Sequence, residues 1–175
     1  MLALLQARTT SHRLPGKVLR PILGEPMIGR QIERLQRAMS ITRIVVATSV
    51  ERSDDDLSAY VQSLGVDVFR GPLRDVLSRM YLAADWFEAR DDVVRLTADC
   101  PLADPSLIDR CVEAHRRGGA DLTFTQDGWT YPKGLDVEVM RLAALRCAWR
   151  EAEAAYDREH VTSYIHTRPD RFRLR

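Results

Sequence analysis

Four short apolar runs, Leu2–Leu5, Ile44–Ala47, Val66–Phe69 and Val93–Leu96, each end in polar residues and are each followed by a longer stretch of mixed character. Runs that brief, with only Asp67 and Arg95 interrupting them, read as strands of a parallel sheet, buried on both faces. Between them the helix punctuation is clear. Pro26 opens a helix to about Ala38, with Ile28, Ile32, Leu35 and Met39 on one stripe. Ser53 reads as an N-cap, with Asp54, Asp55 and Asp56 compensating the helix dipole and Gly65 closing the helix. Further helices are predicted over Arg74–Phe87, Pro105–Gly118 and Leu142–Tyr156, with a short one after His160. Val18–Leu23 reads as an extended piece and Leu122–Thr125 as a strand. Asp127–Gly134 reads as a loop, and Leu135–Met140, by its alternation, as a half-exposed strand. Phe172–Leu174 reads as the start of another strand. This βαβα order predicts a single α/β domain over residues 1–175, with a Rossmann-like, mostly parallel sheet and helices on both faces.

Ligands of such sheets bind outside the carboxyl ends of the strands. The first run leads directly into a loop carrying Arg8, Ser11, His12, Arg13, Pro15, Gly16 and Lys17, and no acidic residue precedes Glu25. That composition makes an anion pocket, with Gly16 letting backbone N–H groups approach phosphate oxygens. Of 26 Lys and Arg residues only Lys17 and Lys133 are lysine, so Lys17 reads as a compact ammonium rather than a planar fork. The loop is not a P-loop, which needs a glycine where Ser11 stands and Ser or Thr where Val18 stands, and the chain has no Gly-x-Gly-x-x-Gly.

The other strand ends are polar too: Thr48 and Ser49, Arg70 and Gly71, then Thr97 and Asp99. Asp99 follows a buried strand directly, and a lone carboxylate beside polyphosphate suits Mg²⁺. Asp104, before Pro105, reads as a helix cap. Asp75 and Arg79 share a helix face at i,i+4 and are placed to pair. His115 reads as solvent-facing and His166 as part of a polar turn, neither with a role, and His160 is ambiguous.

The formal net charge of +1 gives no case for nucleic-acid binding. Cys100, Cys111 and Cys147 have no metal-ligand spacing and read as reduced thiols. No apolar run reaches membrane-span length, so the expected location is the cytoplasm.

The segments QARTTSHRLPGKVL, VVATS, VFRG with DVLSR, RLTADCPLADPSLID, YPKGLDVEV and REHVT cover nearly the whole chain. In this order they resemble the cytidylyltransferases that activate acidic sugars. The nearest branch is the spore-coat polysaccharide type, related to acylneuraminate and 3-deoxy-manno-octulosonate cytidylyltransferases. The resemblance implies a nucleotide-diphospho-sugar transferase fold with one antiparallel strand, CTP and an acidic sugar as substrates, and Mg²⁺ as cofactor. Arg8, Ser11, Arg13 and Lys17 match the family's phosphate loop, and Asp99 its metal-binding Asp. Arg70 and the Asp75–Arg79 segment match the region lining the nucleotide and sugar pocket. Gln6, Ala7, Thr48, Ser49, Gly71 and Thr97 complete the expected nucleotide site, with the cytosine near Ala7, Thr48, Ser49 and Arg70.

The implied reaction is in-line attack of a sugar hydroxyl on the α-phosphate of CTP, with Arg13, Lys17 and Asp99 as the catalytic set. The rivals are a nucleotide- or partner-binding protein without turnover, and a nucleotidyltransferase using another NTP or acceptor. Family members usually continue into a strand and helix that supply a second acidic metal ligand. For these 175 residues the expectations are therefore Asp136 as the substitute ligand and slow or absent turnover. An unpaired sheet edge at Phe172–Leu174 is also expected, and it would favour a homodimer.

Overall fold

The computed structural model describes residues 1–11, 13–125 and 131–175. His12 and residues 127–130 of the expected Asp127–Gly134 loop lie outside the described residues. The strands are β1 (Leu2–Gln6), β2 (Pro21–Ile22), β3 (Glu25–Pro26), β4 (Arg43–Ser49), β5 (Asp67–Gly71), β6 (Asp92–Thr97), β7 (Leu122–Phe124) and β8 (Glu138–Arg141). The α-helices are α1 (Met27–Leu35), α2 (Asp55–Ser63), α3 (Val76–Trp86), α4 (Pro105–Gly118), α5 (Leu142–Glu151), α6 (Ala155–Glu159) and α7 (Ser163–His166).

The main sheet has the order β5-β4-β1-β6-β8-β7. β1 is central and parallel to both β4 and β6, and β4 is parallel to β5. β8 runs antiparallel to both of its neighbours. The chain therefore builds outward from β1 on one side, then crosses to β6 on the other. The strand order reverses between β1 and β6, and their carboxyl ends flank the crevice where such sheets bind ligands.

Period-two alternation gives the sheet two apolar faces. Ala3 and Leu5 point to the side of Ile28 and Ile32 in α1, Leu57 and Val61 in α2, and Ile108 and Val112 in α4. Leu2 and Leu4 point to the side of Leu77 and Met80 in α3, Leu145 and Ala148 in α5, and Ile165 in α7. Leu4 and Leu5 are wholly buried, each burial contributing about 1.5–3 kcal/mol. The result is a helix–sheet–helix sandwich whose β1 tip is held in register from both flanks.

Several local expectations are corrected. Val18–Leu23 is extended only at Arg20–Ile22. Lys17–Leu19 forms a short 3-10 turn, followed by the β2–β3 hairpin. Arg30 clasps that hairpin through the carbonyls of Ile22 (3.1 Å) and Leu23 (2.8 Å). Ser53 does not cap α2; a 3-10 turn over Arg52–Asp54 precedes the helix, and Asp54 turns inward. The expected Leu142–Tyr156 helix breaks where Ala152 adopts an extended conformation, and α6 restarts at Ala155. Leu135–Met140 is a strand only from Glu138, and Val137–Met140 are buried because β6 and β7 flank them.

His115 is buried rather than solvent-facing, with Nδ1 2.9 Å from Thr123 Oγ1. The edge at Phe172–Leu174 is not left unpaired. Asp121 and Leu122 N–H groups donate to the Arg173 carbonyl, and Leu174 bridges Leu122 in parallel. The three cysteines are free. Among the described residues no helix is long and apolar enough to cross a membrane.

Candidate active site

A cavity of about 710 Å³ opens at the carboxyl ends of β1 and β6. It is lined by Gln6, Ala7, Arg8, Ser11, Arg13 and Lys17 from β1 and the loop after it, and by Thr97, Asp99 and Asp136. Tyr156, His160, Thr162, Ser163, His166 and Thr167, from α6, α7 and the residues around them, line it as well.

The loop after β1 is closed on itself. The Thr9 carbonyl accepts the N–H groups of Ser11 (2.9 Å) and Gly16 (2.8 Å). Gly16 sits at φ 70°, a left-handed conformation that costs a side-chain-bearing residue about 1–2 kcal/mol. That turn launches Lys17 across the cavity, where its Nζ donates to Asp99 Oδ2 at 2.6 Å. Burial opposes ionisation of Asp99, but hydrogen bonds from Lys17 and Thr97 and the Lys17 charge outweigh it. The carboxyl is held below its ordinary range.

Deeper in, Arg95 on β6 donates to Gln6 Oε1 at 2.8 Å and pairs with Glu138 on β8. Thr162 donates to the other Glu138 oxygen at 2.8 Å, and His166 stands 3.9 Å from it. Burial works against ionisation of Glu138, yet Arg95, His166 and Thr162 together hold it ionised and well below the usual range. Arg95, Glu138 and the α6–α7 wall are absent from the site expected from sequence. A signal existed: Arg95 and Glu138 are charges set in apolar strand segments, VVRLT and VEVM.

Not every expected residue reaches the cavity. Gln6, Ala7, Arg8, Ser11, Arg13, Lys17, Thr97, Asp99 and Asp136 line it together. Thr48, Ser49, Arg70, Gly71, Asp75 and Arg79 do not line it. Arg70 spends its donors on the carbonyls of Ser49 and Glu51, both at 2.9 Å, and on Asp55 at 2.7 Å. Asp75 does not pair with Arg79. It caps α3 through Ser78 and binds Arg158 at 2.6 Å. Arg79 is wholly buried and reaches the Pro72 carbonyl at 2.8 Å, packed so closely that a Cβ on Gly71 would meet its Cγ at 3.0 Å. Burial pushes its guanidinium down to about 10, against the pull of Asp54.

Of the carboxylates that line the cavity, Glu138 is taken up by Arg95 and Thr162, which leaves Asp99 and Asp136, and Asp136 stands in the loop before β8 rather than on a strand. Hard carboxylate oxygens suit Mg²⁺, which commonly binds one or two carboxylates and completes its shell with phosphate and water. Among the described residues no three His, Cys, Asp or Glu side chains form a ready-made cage. The donor set therefore fits an ion that arrives with phosphate.

A six-stranded sheet with an anion loop at its switch point defines a nucleotide-handling α/β protein. The family described as Cytidylyltransferase matches residues 2–175, and the chain belongs to that family. It is 34% identical over 184 residues to the spore coat polysaccharide biosynthesis protein SpsF of Bacillus subtilis, covering 99% of this chain and 73% of the relative. It is 33% identical to a 3-deoxy-manno-octulosonate cytidylyltransferase of Chromohalobacter salexigens, covering 97% of this chain and 66% of that one. The structure of a cytidylyltransferase from Leptospira borgpetersenii superposes with a TM-score of 0.92 at 32% identity, over 98% of this chain and 73% of that chain.

Proposed function

We propose that this protein transfers CMP from CTP to a hydroxyl of an acidic sugar and releases pyrophosphate. The observation that carries the reading is the meeting of Lys17 and Asp99 at 2.6 Å at the sheet's switch point. One group is suited to phosphate and the other to a cation that travels with phosphate. The cytidylyltransferase family, with a relative named for an octulosonate, supplies the choice of base and acceptor.

In this reading Arg13 and Lys17 gather the β- and γ-phosphates and stabilise charge on the departing pyrophosphate. Lys17 exchanges Asp99 for phosphate as the nucleotide enters. Asp99 and Asp136 would hold Mg²⁺, which when bound neutralises phosphate charge and polarises the α-phosphate. In the α6–α7 wall, Tyr156 offers a hydroxyl to a polyhydroxylated acceptor, and the Thr162, Ser163 and Thr167 hydroxyls, which donate to Glu138, Asp157 and the Ser163 carbonyl, keep lone pairs that accept from it. The wall brings that acceptor in line with the α-phosphate, so catalysis is mostly positioning. The test is stabilisation by each NTP with Mg²⁺, followed by pyrophosphate release with 3-deoxy-manno-octulosonate as a probe acceptor. Selective stabilisation by CTP is expected. Equal stabilisation by ATP or GTP would overturn the base assignment, and CTP binding without pyrophosphate release from any acidic sugar would overturn the transfer.

A further inference from the structure

Asp54 is wholly buried, yet the hydrogen bonds on its carboxylate come from neutral groups. The Thr9 N–H (2.8 Å) and the Thr9 hydroxyl (2.7 Å) reach Oδ1, the hydroxyl sharing its proton with the Ser53 carbonyl at 2.8 Å. The Ser49 N–H (3.2 Å) and hydroxyl reach Oδ2. One buried carboxylate thus ties the tip of β4 to the first turn of the loop after β1. Thr9 in turn closes that loop, because its carbonyl receives the N–H groups of Ser11 and Gly16. Arg13 lies inside the closed segment and Lys17 leaves it. Neither Thr9 nor Asp54 lines the cavity.

We infer that Asp54 is the positioning residue of the triphosphate site, acting through Thr9 to fix the loop that presents Arg13 and Lys17. The chemistry calls for an ionised carboxylate at this place. Its two oxygens accept all four donors, whereas an amide would turn an NH₂ group toward one donor pair. Its negative charge also favours the charged form of the buried Arg79, which Arg8 and Arg95 oppose, so it offsets cationic repulsion near a loop that carries cations to hold an anion. A loop set before the ligand arrives loses less freedom on binding, and the benefit falls on the phosphates that the loop holds. Ser49 thereby acquires a role, as a hydroxyl that secures Asp54 rather than one that touches nucleotide.

This inference rests on the triphosphate reading, and its test separates the two. CTP and CMP dissociation constants are measured by calorimetry on the full chain and on Asp54→Asn, Thr9→Val and Thr9→Ser. Amide exchange is followed at Ser11 and Gly16 without ligand. Asp54→Asn and Thr9→Val are each expected to weaken CTP about ten- to thirtyfold, as for lost hydrogen bonds to a charged group, and CMP less than about threefold. Thr9→Ser, which keeps the hydroxyl, is expected to stay within about threefold of the parent. The double variant Asp54→Asn with Thr9→Val is expected to be no weaker than the worse single change, because both cut one link. Exchange at Ser11 and Gly16 should quicken in Asp54→Asn while that at Leu4 and Leu5 in β1 holds. Equal losses of CTP and CMP, or unchanged CTP affinity in a folded variant, would overturn the inference. If Asp54→Asn does not fold, the Thr9 pair decides in the same terms. Failure of the parent to bind CTP would remove the functional reading. The exchange measurement would then still judge the loop, and unchanged exchange at Ser11 and Gly16 would refute the link.

Discussion

The carboxyl edge of the sheet has two halves that use charge in opposite ways. Around the mouth, between β1 and β6, Arg13 and Lys17 face the cavity, and the one strong bond there is the exposed Lys17–Asp99 pair. Around β4, β5 and β8, Arg70, Arg95, Asp54 and Glu138 are largely bound by other protein groups, while Arg79 is buried and bonds through one guanidinium nitrogen to the Pro72 and Leu73 carbonyls. The same residue types stand at strand ends in both. What separates them is whether neighbouring backbone and side chains have already claimed their donors. Charges in the packed half should govern stability, with Asp54 also reaching the ligand through the loop that Thr9 closes, and charges at the mouth should govern ligand affinity directly.

The largest effect should come from the packed half. Glu138→Ala leaves Arg95 buried beside Gln6 without its counter-ion, and breaking such a pair typically costs about 3–5 kcal/mol. Urea denaturation should show the loss. A midpoint shift no larger than that of an exposed-pair mutant would erase the distinction between the halves.

Next is the mouth. Lys17→Ala should cost about 1.5–3 kcal/mol of CTP affinity, far less of CMP affinity, and little stability. Paired calorimetry and thermal melts check both parts, and a fall in melting temperature without a change in CTP affinity would reverse the assignment. Because Lys17 helps hold the Asp99 carboxyl below its ordinary range, the same variant should raise the Asp99 pKa toward that range.

The smallest effect is a pH slope set in the interior. Burial lowers the pKa of His115 below its ordinary value, although Asp92 opposes this, with Arg141 and Asp121 as the other charges nearby. The folded form therefore binds the His115 proton less readily than the unfolded chain. His115 adds nothing to the pH slope above about 6.5, and stability is lost as pH falls through that value. His115→Gln should flatten the slope of unfolding free energy between pH 7 and 5. An unchanged slope would mean that His115 titrates alike in both states.

The strands are legible in the sequence because a parallel sheet covered on both faces demands short, mainly apolar runs, unbroken at Leu2–Leu5 and Ile44–Ala47 and carrying one charge each at Asp67 and Arg95. The loop after β1 is legible because the ten residues from Arg8 to Lys17 hold three cations, three hydroxyls and a glycine without an acid. The destination of a polar strand end is harder to see. Ser49 looks like a ligand contact until Asp54, five residues on, turns back beneath it. Arg70 looks free until the carbonyls of Ser49 and Glu51 come within its reach. Those contacts depend on turn geometry that residue type does not encode. His115 was visible in principle, since it continues the Ile108, Cys111, Val112 stripe at helical spacing, but its polarity argued for the outside. The α6–α7 wall is hidden for another reason: REHVTSY carries no period, and only the crossing of the chain over β8 brings it to the cavity.

Arg95 and Glu138 have one more consequence, because they are direct cross-strand partners in the β6–β8 pairing. Every other pair in that ladder except Asp92–Arg141 at its end is aliphatic, so apolar contacts alone discriminate weakly against neighbouring alignments. A slip by one residue would set Arg95 against Val139 or Val137, strand two charges in the core and turn the whole of β8 over. The ion pair thus works as an alignment mark that only the correct meeting of two distant chain segments satisfies. An apolar replacement of both residues is expected to preserve the folded energy while surrendering that proofreading, and its cost would surface as misaligned, aggregation-prone product during refolding rather than as a lower melting point.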